Sequence, residues 1–398
     1  MSPVMANKAD YAWLAEGPGT KWLEKVSLDL PLHQILAQLR RDLSPLRAHL
    51  VVEQLQLRHR ARHRFAAANH MFFTDVGLQQ ATGTVIARYK ASKFAGPIVD
   101  LCCGIGGDLL EFSRETATCG IEQNPIASYL ANRNLTTVSS LTLLTTDLVG
   151  CGDVTQSSIC PAASLHIDPD RRSTGRRTVA IDLHEPGRNE LSHFAAHPAG
   201  AAIKLAPATD PNDPLLGSAT LEWIGHGREC QQLVAWFGPL SPTSGRRRAT
   251  VLKHDGSAHT LQESSTEPLV VETAARTILV EPHATVLAAG LANVVAQQHD
   301  LVALTPGGGY LTGTSISPSP LWSAYEVIDE CRFRRKLLTE MLRYHSKRPI
   351  EIKQRGVEEN LAELQRQLNQ HSGDPATLFL VKLGQRKVAI LARRLDAA

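Results

Sequence analysis

The segment from Ile98 to Asp108 constrains the fold of this chain more than any other part of it. It reads Ile-Val-Asp-Leu-Cys-Cys-Gly-Ile-Gly-Gly-Asp, which predicts a buried strand that runs directly into a glycine-rich turn and a helix. Gly104 and Gly106 permit positive φ angles and a close approach of the backbone to a ligand. Such a turn at the end of a parallel strand holds a bound group with main-chain amides. We therefore expect an α/β fold with a ligand site at this turn.

The turn departs from the pattern of dinucleotide sites. In those sites G-x-G-x-x-G rests a pyrophosphate on the N-terminus of the helix. Here Leu109 stands three residues after Gly106, and Asp108 at the helix start would repel a phosphate. Asp100, in the strand, suits a ligand that carries an ammonium and a sulfonium group instead of phosphates. The sequence therefore disfavours a dinucleotide at this site.

A second acid follows at the end of the next predicted strand. Glu122 comes after the apolar stretch 117–121, about 20 residues downstream, where an acid accepts hydrogen bonds from both ribose hydroxyls. The pair of Asp100 and Glu122 around D-x-x-x-G-x-G resembles motifs I and II of class I S-adenosylmethionine-dependent methyltransferases. The resemblance implies S-adenosylmethionine as the cofactor. The cofactor-binding residues that it implies are Asp100, Cys102, Gly104, Gly106, Asp108, Glu122 and Asp147.

Two of the implied site residues lie at the ends of later strands. Residues 141–147 predict the third strand, and the family uses the acid at its end, here Asp147, to bind the adenine amino group. An ordinary turn residue is the alternative for Asp147. Residues 165–167 predict the fourth strand, with Asp168 and Pro169 at its C-terminal tip. In the family this tip orients the methyl acceptor, so the resemblance implies that Asp168 holds an exocyclic amine or takes its proton.

Basic residues stand beside the same tip. Arg171 and Arg172 can contact a phosphate in a bidentate fashion, or they form a solvated pair in a loop. Lys204 lies in the apolar run 201–206, which predicts the fifth strand and places this lysine near the site. No aromatic residue follows Pro169 closely, in contrast to the Asn-Pro-Pro-Tyr or Asp-Pro-Pro-Tyr motifs of adenine amino methyltransferases. A simple adenine-N6 enzyme is therefore disfavoured.

The alternation of strands and helices predicts the fold class. Residues 221–224 and 249–252 predict strands six and seven, and residues 229–237 predict the helix between them. We expect a Rossmann-like class I methyltransferase sheet, doubly wound and mostly parallel, over residues 96–255. Apolar residues at helical spacing upstream predict an N-terminal helical domain over residues 1–95, in which Thr74 or Asp75 caps a helix over 78–89.

Residues 265–398 predict a separate α+β domain with the element order β-α-β-α-β-β. Together with the upstream motifs, this part resembles bacterial class I methyltransferases that carry a C-terminal THUMP-like domain. The resemblance rests on the segments Phe72–Thr82, Asp100–Asp108, Asp168–Arg172, Tyr310–Thr312 and Glu351–Gly356. THUMP domains bind RNA, so the resemblance implies RNA as a partner and an RNA base as the methyl acceptor.

The charge distribution agrees with a polyanionic partner. The net charge of the 398-residue chain is only +3, but from Cys331 onward basic residues outnumber acids by roughly two to one. We expect Arg334, Arg335, Lys336 and Lys353 to contact RNA. The stretch from Arg58 to Arg64 is a second basic segment, which either binds phosphate or forms a solvated helix.

Other features exclude several classes of protein. His59 and His63 have a metal-ligand spacing but no third ligand nearby, so no metal is expected. The seven cysteines form no C-x-x-C pair, and Cys102 and Cys103 are expected to be small buried residues without a redox role. No signal segment and no apolar run near 18 residues is present, so a cytoplasmic protein is expected.

Three hypotheses about function are open at this point. The first is an S-adenosylmethionine-dependent methyltransferase acting on an exocyclic amine of a base in structured RNA. The second is a protein or small-molecule methyltransferase with the same core. The third is a non-catalytic RNA-binding protein that only senses the cofactor. Salt-dependent RNA binding separates the second from the other two.

Overall fold

The computed structural model of the protein describes residues 6–138, 146–147, 162–171, 178–242, 246–264, 267–370 and 372–395. The chain divides into two compact units. The first contains residues 1–220 and 233–242, and the second contains residues 221–232 and 243–398. The three domains expected from the sequence, with limits at residues 95, 255 and 265, stay a prediction. In the first unit, the N-terminal helices and the parallel strands are grouped together.

The first unit begins with six helices. They are α1 (Lys8–Ala15), α2 (Thr20–Lys25), α3 (Leu32–Leu39), α4 (Pro45–Ala61), α5 (Asp75–Gln80) and α6 (Thr84–Ala91). Ser44 caps α4 by accepting a hydrogen bond from the backbone N–H of Arg47, and proline occupies the first helical position. Thr74 caps α5 in the same way. The single helix expected over 78–89 is wrong: extended backbone at Ala81 ends α5, and α6 starts after Gly83.

Five strands and part of a sixth form the sheet of this unit. They are β1 (Ile98–Leu101), β2 (Thr118–Glu122), β3 (Thr146–Asp147), β4 (Ser164–Ile167), β5 (Ala201–Leu205) and the last five residues of β7 (Glu229–Phe237). The strand order is β3-β2-β1-β4-β5-β7, and every pair is parallel except β5 with β7. Helices α7 (Leu109–Glu115), α8 (Pro125–Val138) and α9 (Arg188–Ala195) connect the strands. The predicted Rossmann-like α/β fold is confirmed.

One element of this sheet differs from the prediction. Residues 229–237 form a strand and not a helix. Residues 233–237 are all buried and pair with β5, from Ala201 opposite Phe237 to Leu205 opposite Leu233. A short continuous apolar run fits a buried strand and a buried helix equally well, so the periodicity in the sequence could not distinguish them.

A single hydrophobic core joins the N-terminal helices to the glycine turn. It contains Leu14 and Leu50 from α1 and α4, Ile105 from the turn, and Leu130 from α8. Phe73, between α4 and α5, is also in this cluster. The N-terminal helices are therefore packed directly on the elements that carry the predicted cofactor site.

The second unit contains two groups of strands. In the first group β8 (Arg247–Leu252) pairs in parallel with β6 (Thr220–His226) and antiparallel with β9 (Ala258–Gln262). The second group is a seven-stranded sheet with the order β11-β12-β10-β13-β16-β15-β14. Its strands are β10 (Ile278–Pro282), β11 (Val302–Ala303), β12 (Leu311–Gly313), β13 (Trp322–Arg332), β14 (Lys347–Arg355), β15 (Asp374–Leu383) and β16 (Arg386–Leu395).

Four helices accompany these strands: α10 (Ala284–Ala288), α11 (Ala292–Gln298), α12 (Arg335–Tyr344) and α13 (Leu361–Leu368). From residue 322 the order is β13-α12-β14-α13-β15-β16, which confirms the predicted β-α-β-α-β-β arrangement. The predicted terminal hairpin is confirmed as well, since β15 and β16 pair antiparallel across a short turn. Leu338 and Leu342 of α12 and Leu364 of α13 pack on the sheet.

Candidate cofactor and acceptor site

A cavity of about 1330 Å³ in the first unit brings together three parts of the chain. One wall is the glycine turn with the end of β2, the second is the segment 168–171 after β4, and the third consists of N-terminal helices. Of the residues predicted from the sequence, the cavity is lined by Cys102, Gly104, Glu122, Asp168, Pro169 and Arg171. Asp100, Gly106, Asp108 and Lys204 do not line it.

The glycine turn presents its backbone to the cavity. Cys102 has a φ of 59° and Gly104 a φ of 57°, both in the left-handed region that disfavours residues with a Cβ. A Cβ placed on Gly104 would meet no atom within 4 Å. Cys102 is partly exposed and lines the cavity, which corrects the expectation that it is buried. Cys103 is buried as expected, and burial raises the pKa of its thiol well above the usual value.

Gly106 faces away from the cavity, and the cofactor contact predicted for it stays a prediction. Its φ is 86°, but a Cβ there would point at Ala131 of α8, at 3.5 Å. Gly107 is more tightly confined, because a Cβ would lie only 2.9 Å from Ala81 and from the backbone of Thr82. Gly107 allows close packing of the turn on the loop after α5, whereas at Gly106 the positive φ favours glycine. They do not open the turn to the cavity.

Glu122 lies at the end of β2 with its carboxylate on the cavity wall. Oε2 accepts a hydrogen bond from the Gly104 N–H at 2.8 Å, and Oε1 accepts one from the Asn124 N–H at 2.8 Å. A carboxylate offers about four acceptor positions, so two are left for a ligand with two hydroxyl groups. Burial raises the pKa of Glu122. Asp147 pairs with Glu122 in the parallel register of β2 and β3, and the role predicted for its side chain stays a prediction.

Asp168 is the first residue after β4 and is held from behind by a lysine. Its Oδ2 lies 2.5 Å from the Nζ of Lys204, which also donates to the backbone carbonyl of Gln80 at 3.1 Å. The other carboxylate oxygen of Asp168, Oδ1, has no hydrogen-bond partner within the part of the chain that the structure describes. Lys204 therefore contacts Asp168 and does not line the cavity, and the substrate contact predicted for it stays a prediction. Arg172 lies outside the described residues.

A row of buried polar side chains lies behind the turn, and two of them, Lys90 and His166, were not predicted from the sequence. Lys90 Nζ is 2.7 Å from Asp108 Oδ1 and 3.0 Å from His166 Nε2. His166 Nδ1 is 2.6 Å from Asp100 Oδ1. Thr82 Oγ1 donates to the second oxygen of Asp108 at 2.7 Å. Asp100 and Asp108 are thus engaged inside the protein, and the cofactor contact predicted for them stays a prediction.

Charge and burial decide the protonation of these buried side chains. Burial lowers the pKa of Lys90, an effect that the charge of Asp108 opposes. Burial acts to raise the pKa of Asp108, but Lys90, His166 and Lys204 together hold it well below its usual range. The contact of Asp100 with His166 Nδ1, at 2.6 Å, favours the ionised carboxylate. Burial raises the pKa of Asp100 in spite of this contact.

Both missed residues left a signal in the sequence. Lys90 lies four residues after Ile86 in α6, so it falls on the buried face of that helix. His166 stands between Leu165 and Ile167 in a strand in which every residue is buried. A charged or titratable residue at a core position of a regular element is rarely buried without partners. Their partners, however, lie on distant segments and are not visible in the sequence.

The N-terminal helices supply polar groups to the cavity, which was not predicted from the sequence. Tyr11 of α1 and His49 and Glu53 of α4 line the wall that faces the turn. Burial and the charge of Asp75 raise the pKa of Glu53. Burial and the neighbouring Glu53 raise the pKa of Tyr11 to about 12. This wall therefore combines a neutral phenol with a carboxylate.

Two arginines of the basic stretch 58–64 are used inside the first unit. Arg58 donates to the Met71 carbonyl at 2.9 Å, its guanidinium lies 4.8 Å from the centroid of the Phe72 ring, and burial lowers its pKa to about 10. Arg64 donates to the carbonyls of Leu78 and Ala81. Arg58 and Arg64 thus stabilise the segment between α4 and α6. Neither phosphate binding nor a solvated helix, the two alternatives from the sequence, describes them.

Two further expectations concern absences. Within the described ranges, no group of three or more His, Cys, Asp or Glu side chains is arranged to hold a metal ion. No helix in the described part of the chain is long and apolar enough to cross a membrane. The cytoplasmic location stays a prediction.

Comparison with known proteins adds three findings. A family model described as THUMP domain-like matches residues 322–394. Two relatives from Mycobacterium tuberculosis, strains CDC 1551 and H37Rv, are described as uncharacterized S-adenosylmethionine-dependent methyltransferases. Each is 28% identical over 359 residues, which cover 85% of this chain and 94% of the relative.

The third finding is a solved structure. The chain resembles a crystallised protein from Porphyromonas gingivalis W83, described as a candidate methyltransferase, with a TM-score of 0.74 and 18% identity. The match covers 95% of this chain and 97% of the other, so the two chains share a fold. These comparisons confirm the resemblance predicted from the sequence, to S-adenosylmethionine-dependent methyltransferases that end in a THUMP-like domain.

Proposed function

We propose that this protein transfers a methyl group from S-adenosylmethionine to an exocyclic amine of a base in structured RNA. The observation that carries the proposal is the single cavity that joins the open glycine turn, the carboxylate of Glu122 and the tip at Asp168. Methyl transfer needs a cofactor site and an acceptor site that meet at one point. The similarity to S-adenosylmethionine-dependent methyltransferases supports the choice of cofactor.

The residues of the cavity fit S-adenosylmethionine. Glu122 has two acceptor positions left for the ribose hydroxyls after its bonds to Gly104 and Asn124. The backbone at Cys102 and Gly104 is open to the cavity, so no side chain prevents a close approach of the ligand. At about 1330 Å³ the cavity is larger than the roughly 300–1,000 Å³ of most small-ligand pockets, which leaves room for an acceptor group.

On the acceptor side the chain contributes a carboxylate with one oxygen that no described residue occupies. When bound, the cofactor supplies an electrophilic methyl group on a sulfonium centre. Lys204 occupies Oδ2 of Asp168 and thereby fixes the carboxylate plane. Oδ1 then accepts a hydrogen bond from the acceptor amine, orients its lone pair and takes its proton as the new N–C bond forms. Pro169, which follows directly, limits the backbone at this tip.

The inference that the acceptor is RNA rests on the second unit and on chemistry. The THUMP domain-like segment and the excess of basic residues after Cys331 favour a polyanionic partner. Within the cavity, carboxylates predominate: Glu53, Asp168 and Asp170 face it, with Arg171 as a cationic group. An acidic pocket favours a donor-bearing base edge over a phosphate, so the phosphates would bind elsewhere.

Nucleoside analysis tests the proposal directly. Total RNA from cells with and without the gene is digested and compared by mass spectrometry, and the purified protein is incubated with S-adenosylmethionine and RNA from the cells without the gene. We expect one methylated nucleoside to be missing without the gene and restored by the protein. If no RNA nucleoside changes in either experiment, the RNA assignment is wrong, and methylation of proteins or small molecules is the alternative to test.

A further inference from the structure

The loop Gln80–Thr82, which runs from the last residue of α5 toward α6, contacts both halves of the site. It belongs to the segment Phe72–Thr82, one of those on which the family resemblance rests, yet the proposed function assigns this loop no role. On one side it packs against the glycine turn, since a Cβ on Gly107 would lie 2.9 Å from Ala81 and Thr82. Thr82 also donates to Asp108 at 2.7 Å. The loop is therefore fixed relative to the cofactor turn.

On its other side the loop reaches the acceptor tip through Gln80. The backbone carbonyl of Gln80 accepts from Lys204, at 3.1 Å, and Lys204 holds Asp168. The side-chain amide of Gln80 donates to Oδ1 of Asp170 at 3.1 Å. Asp168 and Asp170 lie two residues apart and both line the cavity. Gln80 thus contacts both Lys204, the partner of Asp168, and Asp170 itself.

The side chain of Gln80 is not needed to hold the loop. The loop backbone is fixed by Arg64, which donates to the Ala81 carbonyl, and by Lys204. The Gln80 side chain is exposed at the cavity wall, and Asp170 is its only hydrogen-bond partner in the described part of the chain. An exposed amide that orders a single carboxylate contributes little to stability. Its position beside Asp168 indicates a role in the site.

We propose that Gln80 is a positioning residue for the methyl acceptor, an inference that rests on the proposed function. Its N–H holds Asp170 in one orientation, which keeps that carboxylate from competing with Asp168 for the acceptor amine and from turning toward Lys204. Because Gln80 contacts the acceptor tip and not the cofactor turn, its substitution changes methyl transfer and acceptor recognition and leaves cofactor affinity unchanged. Misplacement of a reacting group by about 1 Å lowers rates by on the order of a hundredfold.

The test compares Gln80→Ala and Gln80→Glu with Gln56→Ala and Gln56→Glu. Gln56 is exposed on α4 and does not line the cavity, so it provides a matched control. The assay uses S-adenosylmethionine with a labelled methyl group and total RNA from cells that lack the gene. We expect both Gln80 variants to lower kcat/KM for RNA by on the order of tenfold to a hundredfold. The affinity for S-adenosylmethionine, measured by calorimetry, stays within about twofold of the wild type.

The pH profile separates positioning from a structural role. Gln80→Glu adds a carboxylate next to Asp168 and Asp170, and like charges oppose ionisation. We expect the acid limb of the pH–rate profile to move to higher pH in Gln80→Glu and to stay in place in Gln80→Ala. The proposal is overturned if turnover and profile match the wild type, or if Gln80→Ala lowers cofactor affinity as much as turnover.

A second measurement needs no acceptor. If the wild-type protein does not methylate RNA, the proposed function fails, and thermal unfolding still tests the contact of Gln80 with Asp170. We expect the melting temperature of Gln80→Glu to fall below that of Gln56→Glu as the pH rises from about 4 to about 8, because repulsion requires ionised carboxylates. A difference that does not depend on pH overturns the proposal.

Discussion

Lys90 Nζ lies 2.7 Å from Asp108 Oδ1 in a part of the first unit that solvent scarcely reaches, with the two side chains 0% and 5% exposed. Lys90 belongs to the last turn of α6, and Asp108 is the residue with which the glycine turn passes into α7. The pair therefore ties an N-terminal helix to the back of the turn. His166 joins it to Asp100, so both acids of the glycine motif are anchored from inside the protein.

The first prediction concerns this pair. Lys90→Met leaves Asp108 buried without its counter-charge, and we expect the free energy of unfolding to fall by roughly 3–5 kcal/mol. The double variant with Asp108→Asn removes both charges, so its destabilisation is smaller than the sum for the two single variants. Urea unfolding at neutral pH measures all three. Lys93→Met is the control, because Lys93 is exposed and follows the same helix. If the effects of Lys90→Met and Asp108→Asn simply add in the double variant, the two residues are not coupled.

The pair also sets a pH dependence. The pKa of Asp108 is held well below its usual range, so the pair contributes stability above the ordinary carboxyl range and ceases to do so only as the pH falls through the lowered value. We expect the stability difference between wild type and Asp108→Asn to persist from neutral pH down to mildly acidic pH. A difference that disappears already near the ordinary pKa of an aspartate contradicts this assignment.

A second prediction distinguishes the glycines of the turn. Gly104→Ala places a Cβ in the open space of the cavity at a φ of 57°, and we expect the affinity for S-adenosylmethionine to fall about tenfold or more, which is about 1.4 kcal/mol. Gly256→Ala is the control, because Gly256 has a φ of 86° and open space around it but lies in the second unit. Equal calorimetric affinities for the two variants would place the cofactor elsewhere.

Glu122 provides a third prediction. Glu122→Ala removes acceptors for the ribose hydroxyls, and we expect cofactor binding to weaken by about 1.5–3 kcal/mol. Since burial raises the pKa of Glu122, the carboxylate gains its proton at a higher pH than an exposed glutamate. Wild-type affinity therefore declines as the pH falls toward that value, whereas Glu122→Gln has no such decline. Glu115→Gln, on the exposed end of α7, should retain the wild-type pH dependence in calorimetry.

The sequence predicted the parts of the site that depend on neighbouring residues. The strand 98–101 and its turn follow from a short apolar run and three closely spaced glycines, and the acid at the tip of β4 follows from the order of strands. Carboxyl ends of parallel strands meet at one edge of a sheet, so Glu122 and Asp168 could be brought together without coordinates. In each case the information lies within one strand and the residues that follow it.

What the sequence could not predict depends on contacts between distant segments. Lys90 and His166 are separated by 76 residues, and Gln80 and Asp170 by 90. The spacing of Lys90 from Ile86 predicts that it lies on the buried face of α6. Its partner, however, depends on how α6 packs behind the turn. The direction of a glycine's missing Cβ is also a tertiary property, which is why Gly104 and Gly106 looked equivalent in the sequence.

A fourth prediction concerns the acceptor tip. Asp168→Asn preserves the size of the side chain but removes the charge that faces Lys204 and the base that takes the proton. We expect turnover to fall by about 10²–10⁴-fold, the range for removal of a general base, while the affinity for S-adenosylmethionine stays near that of the wild type. Asp42→Asn, an exposed site outside the cavity, is the control. Wild-type turnover in Asp168→Asn would refute the assignment.

The last prediction concerns the basic residues of the second unit, which the structure divides into two pairs. Arg335 contacts Glu359 and Gln367, and Lys353 contacts Glu281 and lies over the Tyr325 ring. The other two residues predicted to bind RNA, Arg334 and Lys336, are exposed and make no ion pair within the described residues. We therefore expect Arg334 and Lys336 to bind phosphates.

Salt-dependent binding to bulk transfer RNA measures the difference between the pairs. Neutralising Arg334 and Lys336 to Gln should reduce the slope of log affinity against log salt by about one unit for each phosphate that the protein no longer neutralises, without changing which base is methylated. Neutralising Arg335 and Lys353 should instead lower the melting temperature, because Glu359 and Glu281 are left without their partners, and change the slope less. If the variant without Arg334 and Lys336 keeps the wild-type slope, RNA does not bind at α12. The proposed recognition of RNA through this helix is then wrong.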